Sequence, residues 1–156
     1  AQHDPMVLFS SHFPVSFSHN CFRIHSFLVY FCGRLLAFDP SGTLLASASW
    51  DGTIRLWDIK SNKVQAVSKD VGSWVTDVSF NHDGSLLASG ELGGIVRFWD
   101  VTSATELLNL DLYPHQPNIM HVAFNPSGTL LVTAYEPLQV TTTSKDANPI
   151  QLWGVK

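Results

Sequence analysis

Serine, histidine and aspartate are the side chains a hydrolytic triad needs, and this chain has all three in number. A triad requires its histidine within hydrogen-bond reach of both nucleophile and carboxylate. The histidines to consider are His82, which precedes Asp83, then His115 and His121. His82-Asp83 falls in a turn-forming run, His121 falls in a strand, and no G-x-S-x-G elbow accompanies them. A metal centre could be drawn from His19, Cys21, His25 and Cys32, but their spacing matches neither C-x-x-C nor H-E-x-x-H. There is no G-x-x-x-x-G-K-[ST] loop, so Gly93-Gly94 reads as a hairpin turn and not a phosphate cradle. Lys60, Lys63 and Lys69 read as a solvated loop. No catalytic residue, metal or cofactor is therefore expected.

Composition narrows the classes further. The 156 residues carry a net charge of −4, with nine Lys plus Arg against thirteen Asp plus Glu, which gives no field for gripping a phosphate backbone. Nucleic-acid binding is not expected. No run of about 18 apolar residues is present, so neither is a membrane-spanning helix. Two cysteines cannot form a disulfide scaffold.

The chain changes character near residue 33. Residues 1–33 hold six of the ten Phe, four of the seven His, both Cys and only two formal charges, Asp4 and Arg23. They keep neither helical nor strand periodicity for long. Starting at Ala without a basic stretch, they do not resemble a signal peptide. Two readings stand for this segment. One is translated non-coding sequence ahead of a splice acceptor near Arg34, suggested by residues with pyrimidine-rich codons. The other is a divergent strand pair with a loose terminus.

From residue 34 on, one unit recurs: LLAFDPSGTLLASASWDGTIRLWDI (35–59), VSFNHDGSLLASGELGGIVRFWDV (78–101) and VAFNPSGTLLVTAYE (122–136), which closes with PIQLWGV (149–155). Phe38, Phe80 and Phe124 stand 42 and 44 residues apart, and Trp57, Trp99 and Trp153 stand 42 and 54 apart, the longer interval reflecting an insertion over 136–148. Alternation in LLASAS, TIRLW, SLLASG and IVRFW predicts short strands. The runs 39–42, 81–84 and 125–128 are turns in which Asp or Asn bonds its own backbone and Gly supplies positive φ. Asp51-Gly52 predicts a two-residue hairpin, with Gly93-Gly94 in the same place. Fourth strands are expected over Lys63–Val67 and Glu106–Leu110.

These units resemble Trp-Asp (WD) repeats of a β-propeller, four strands per blade at a period of about 40–45 residues. The resemblance covers residues 34–156, with blades about 34–69, 70–111 and 112–156, and implies an all-β, partial propeller in which the closing Trp residues wedge between blades. It also implies a hydrogen-bonded set of His, Ser/Thr, Asp and Trp in each blade. The first unit offers Ser47, Asp51 and Trp57, with Val29 at the His position. The second offers Ser89 and Trp99, with Val71 and Gly93 at the His and Asp positions. The third offers His115, Thr133 and Trp153, with Pro137 where Asp belongs. Because propellers usually close with four to eight blades, this chain is expected to be a fragment of a longer propeller, prone to self-association through open blade edges.

By position, the resemblance puts partner contacts on the hairpin rim at Trp50, Leu92 and Glu136, and near the first strands at Trp74, Thr76, Asn118 and Met120. Trp50 and Trp74 lead this set because tryptophan buries much area at low rotamer cost. The expected role is a non-enzymatic protein-interaction scaffold that binds other proteins or peptides, in the cytoplasm or nucleus. Two alternatives accompany it. Trp57-Asp58-Ile59-Lys60 resembles the Trp-Asp-x-Arg/Lys ending of ubiquitin-ligase substrate receptors, and a propeller can be appended to an enzyme within a longer chain.

Overall fold

The fold is set by one turn used three times. Asp39, Asn81 and Asn125 each turn a side-chain oxygen back onto the backbone N–H five residues later: Leu44 at 2.7 Å, Leu86 at 3.0 Å and Leu130 at 2.9 Å. Gly42, Gly84 and Gly128 complete these turns at φ of 71°, 76° and 70°, which an L side chain adopts at a cost. Each turn therefore ends one strand and launches the next antiparallel to it.

A computed structural model describes residues 15–18, 21–24, 36–112, 118–135 and 150–155. The strands are β1 (Val15–Ser18), β2 (Cys21–Ile24), β3 (Leu36–Phe38), β4 (Leu44–Ala48), β5 (Ile54–Asp58), β6 (Lys63–Val67), β7 (Val75–Phe80), β8 (Leu86–Glu91), β9 (Ile95–Asp100), β10 (Thr105–Asp111), β11 (Ile119–Phe124), β12 (Leu130–Tyr135) and β13 (Ile150–Gly154). β1 and β2 form an antiparallel ribbon. The others make three antiparallel sheets, β3-β4-β5-β6, β7-β8-β9-β10 and β11-β12-β13, and no helix occurs among the described residues. The fold is all-β, a partial propeller whose sheets are blades 1 to 3. Both expected fourth strands are present, as β6 and the slightly longer β10.

Alternating side chains bury both faces of blade 2. Val75, Val78, Phe80, Leu87, Trp99 and Val101 pack on Ala46, Ile54 and Leu56 of blade 1. Ala88, Val96 and Phe98 pack on Ile119, Val122 and Leu131 of blade 3. Trp57, Trp99 and Trp153 sit in the third strands β5, β9 and β13, as the repeat pattern predicts. The turns also stack along the array. A Cβ on Gly84 would lie 3.3 Å from the Pro40 ring of the preceding turn, and one on Gly128 would lie 3.1 Å from His82 Nδ1.

The hairpin between second and third strands is wider than expected. In blade 1 the register runs to Ala48↔Ile54, and Ser49 N–H donates to Thr53 O at 3.0 Å, leaving a three-residue tip, Trp50-Asp51-Gly52. Gly52 takes the left-handed position at φ 79°. This is the three-residue hairpin loop with glycine at its end, which a Asp-Gly pair signals as readily as the two-residue kind. Blade 2 has the corresponding tip at Leu92-Gly93-Gly94, with Gly93 and Gly94 at φ 85° and 84°.

Candidate functional site

Within each blade the closing tryptophan is tied to the second strand. Trp57 Nε1–H donates to Ser47 Oγ at 2.8 Å, Trp99 to Ser89 at 2.9 Å and Trp153 to Thr133 at 3.0 Å. These bonds satisfy an indole donor next to buried hydroxyls and fix the third strand against the second. Asp51, at the Asp position of blade 1, accepts from Thr53 N–H at 2.9 Å and pairs with Arg55 at 3.1 Å. Burial works against its charge, yet the hydrogen bonds from Thr53 and Ser49 together with Arg55 hold its carboxyl below the ordinary range. His115, Val29 and Pro137 lie outside the described residues.

Blade 2 uses a carboxylate that the repeat pattern did not single out. Gly93 occupies the Asp position, but Arg97, the counterpart of Arg55, donates from Nε to Glu91 Oε1 at 2.7 Å and from Nη1 to Glu106 at 2.9 Å. Glu91 is fully buried, at 0% exposure, and its Oε2 has no partner among the described residues. Burial pushes its carboxyl up to about 7, Arg97 opposes that rise, and Glu106 adds to it. The available signal was the arginine itself: two repeats share it, and a mostly buried guanidinium requires a carboxylate.

The rim residues assemble across blade boundaries. Val75 N–H donates to Ser49 O at 3.2 Å, which brings the start of β7 onto the blade 1 hairpin. A Cβ on Gly52 would collide with Asp70, so the 68–75 segment lies tightly over that tip. Trp50 and Trp74 meet there, their rings 4.4 Å apart between centroids and 8° from parallel. Trp50 rests on the core, whereas Trp74 remains 47% exposed. The next boundary repeats the arrangement with polar groups, since Gly93 N–H donates to Asn118 Oδ1 at 3.3 Å. Leu92 is half-buried, its N–H bonded to Trp74 O at 3.1 Å, and Met120 is exposed at the register shift of β11, away from the hairpin contacts. Glu136 lies outside the described residues.

Thr76 is not on this surface. A register shift between Val75 and Asp77 turns Val75 and Thr76 both inward. Its hydroxyl faces Gly90 O at 2.9 Å and Ile119 O of blade 3, where it struts two blades together. Beside it, Asp77 accepts from Val122 N–H at 3.0 Å and approaches His121 Nδ1 at 3.3 Å, while Ser79 Oγ accepts from Phe124 N–H at 3.1 Å. The first strands β7 and β11 are thus joined by side chains.

The residues weighed for chemistry are dispersed. His82 and Asp83 occupy a turn and His121 a strand. Lys60 and Lys69 are exposed in connecting segments, and Lys63 opens β6. Asp58 accepts from Ser61 N–H at 2.6 Å, a turn-closing bond that gives the Trp57-Asp58-Ile59-Lys60 ending a local structural task. Among the described residues no group of three His, Cys, Asp or Glu could hold a metal, and no helix is long and apolar enough to cross a membrane. Of the proposed metal ligands, only the backbone of Cys21 falls in a described strand; His19, His25 and Cys32 lie outside the described residues.

Recurring antiparallel blades, two of four strands and one of three among the described residues, each holding an indole bonded to a Ser or Thr, define a propeller-type repeat protein. The chain belongs to the WD domain, G-beta repeat family (WD40), whose sequence pattern matches residues 18–58, 64–100 and 107–136. A 46-residue stretch is also 44% identical to the Periodic tryptophan protein 2 homolog of Schizosaccharomyces pombe, covering 30% of this chain and 5% of that protein. WD repeats serve generally as protein-interaction scaffolds.

Proposed function

We propose that this chain is a non-enzymatic scaffold whose partner docks on the hairpin rim formed by Trp50, Trp74, Leu92 and Asn118. The observation that carries this reading is the Trp50–Trp74 stack, with one indole seated on the core and the other half exposed above it. Such a platform offers large, rigid contact area that loses little entropy on binding, which is why tryptophan recurs among interface hot spots. The same reading places the protein in the cytoplasm or nucleus.

Its test is a selection of random dodecapeptides displayed on phage against the immobilised full chain, with binders remeasured on Trp74→Ala. Loss of the exposed indole is expected to weaken the selected peptides about tenfold or more, in the range of interface hot spots. Binders that hold Trp74→Ala as tightly as the unmodified chain overturn the rim assignment.

A further inference from the structure

The rim carries charge as well as aromatic surface. Asp51 is already paired with Arg55. Asp70, in the segment that covers Gly52, has no ion-pair partner among the described residues; one of its oxygens accepts from Gly72 N–H at 2.8 Å, and the other is uncommitted. Asp70 stands four residues before Trp74 in the same loop, and its carboxyl abuts Gly52, two residues after Trp50. The surrounding blades are acidic overall: residues 36–112 contain ten Asp plus Glu against five Lys plus Arg.

We propose that the group recognised at this rim is a cationic side chain of a partner peptide, above all an arginine, laid on the exposed face of Trp74 with Asp70 at its edge. The proposal rests on the rim reading above and names its partner's chemistry. Stacking with Trp50 occupies one face of the Trp74 ring and holds the ring in place, so the other face presents a fixed, electron-rich surface to solvent. An indole face attracts cations through its quadrupole more strongly than phenol or benzene does. Guanidinium suits the site better than ammonium, because its plane stacks on the ring while its edge donors reach a carboxylate. The acidic field of blades 1 and 2 adds long-range attraction and speeds encounter. An acidic segment meets repulsion here, and a purely apolar segment leaves the Asp70 carboxylate without a cation.

The dodecapeptide selection on the full chain tests this directly. Peptides that depend on Trp74 are expected to share an arginine whose replacement by citrulline, isosteric but uncharged, weakens binding about tenfold. Trp74→Phe, which keeps a π face, should retain more affinity than Trp74→Leu, which keeps only apolar area. Asp70→Asn should weaken binding severalfold, whereas Asp83→Asn, in the turn between β7 and β8, should not. Trp74-dependent peptides that lack a cation, or that tolerate citrulline, overturn this inference and leave the rim reading standing. Peptides that bind without regard to Trp74 overturn both. Circular dichroism of each variant separates a lost contact from a lost fold.

Discussion

Blades 1 and 2 hold the same arginine beside the same hairpin but neutralise it from different places. In blade 1 the carboxylate is Asp51, at the exposed tip, where water shares in its solvation and local hydrogen bonds keep it charged. In blade 2 it is Glu91, two residues earlier in the repeat and wholly buried, where desolvation outweighs the pull of Arg97. The neighbouring repeat position differs in step. Blade 1 has Ala48 there, and blade 2 has Gly90, over which Ile119 and Val122 of blade 3 close. The repeat thus conserves an ion pair and a blade junction as physical solutions while moving the residues that supply them.

The largest contrast is expected at the junction glycine. A Cβ on Gly90 would lie 2.6 Å from Ile119 Cγ2 and 3.0 Å from Val122 Cγ1. Gly90→Ala should therefore cost about 1–3 kcal/mol by overpacking. The mirror change, Ala48→Gly, should cost only about 0.5–1 kcal/mol, through backbone entropy. Urea unfolding of the two variants measures both, and equal losses would mean that the two junctions are packed alike.

A middle-sized contrast lies in the indole bonds. Ser89→Ala strands the donor of Trp99, which is 3% exposed, and should cost about 2 kcal/mol. Ser47→Ala leaves the half-buried Trp57 within reach of water and should cost less than about 1 kcal/mol. Thermal unfolding midpoints rank the pair, and a larger loss at Ser47 contradicts the burial difference.

The smallest effect, and the most specific, is the sign of the pH response. Glu91 is raised from 4.5 to about 7, so between those values the folded chain holds a proton that the unfolded chain has released. Its contribution to stability is fully present below 4.5 and is lost as pH rises through about 7. Asp51, lowered from 3.8, acts with the opposite sign: its contribution is present above that value and is lost as pH falls below it. Glu91→Gln should flatten the decline in unfolding midpoint between about pH 5 and about pH 8, whereas Asp51→Asn should leave that decline in place and alter only the acid limb. An undiminished decline in Glu91→Gln removes Glu91 as its source.

Local chemistry was legible from the residues alone. A side-chain oxygen at Asp39, Asn81 or Asn125 bonds an N–H five residues on, and that geometry belongs to the turn sequence itself. The Trp–Ser/Thr ties were implied by the resemblance to WD repeats, and strand pairing sets them at a constant offset. What escaped was decided between elements. The Glu91 counter-ion depends on where a long side chain reaches, not on which repeat position it occupies. Thr76 turned inward because one register shift inverted its facing. Trp50 and Trp74 were both singled out for the rim, but their stacking arises from the docking of one blade on the next, which no spacing encodes.

That stack also gives the molecule an optical property of its own. Two indoles held 4.4 Å apart and nearly parallel couple their ultraviolet transitions, and they come from opposite sides of the boundary between blades 1 and 2. Circular dichroism of the coupled indole transitions therefore contains a signal that exists only while that boundary is closed. The other three tryptophans are each bonded within their own blade, and Trp99 also packs on the core of blade 1. The chain carries, without any label, a spectroscopic gauge of whether the boundary between blades 1 and 2 is closed.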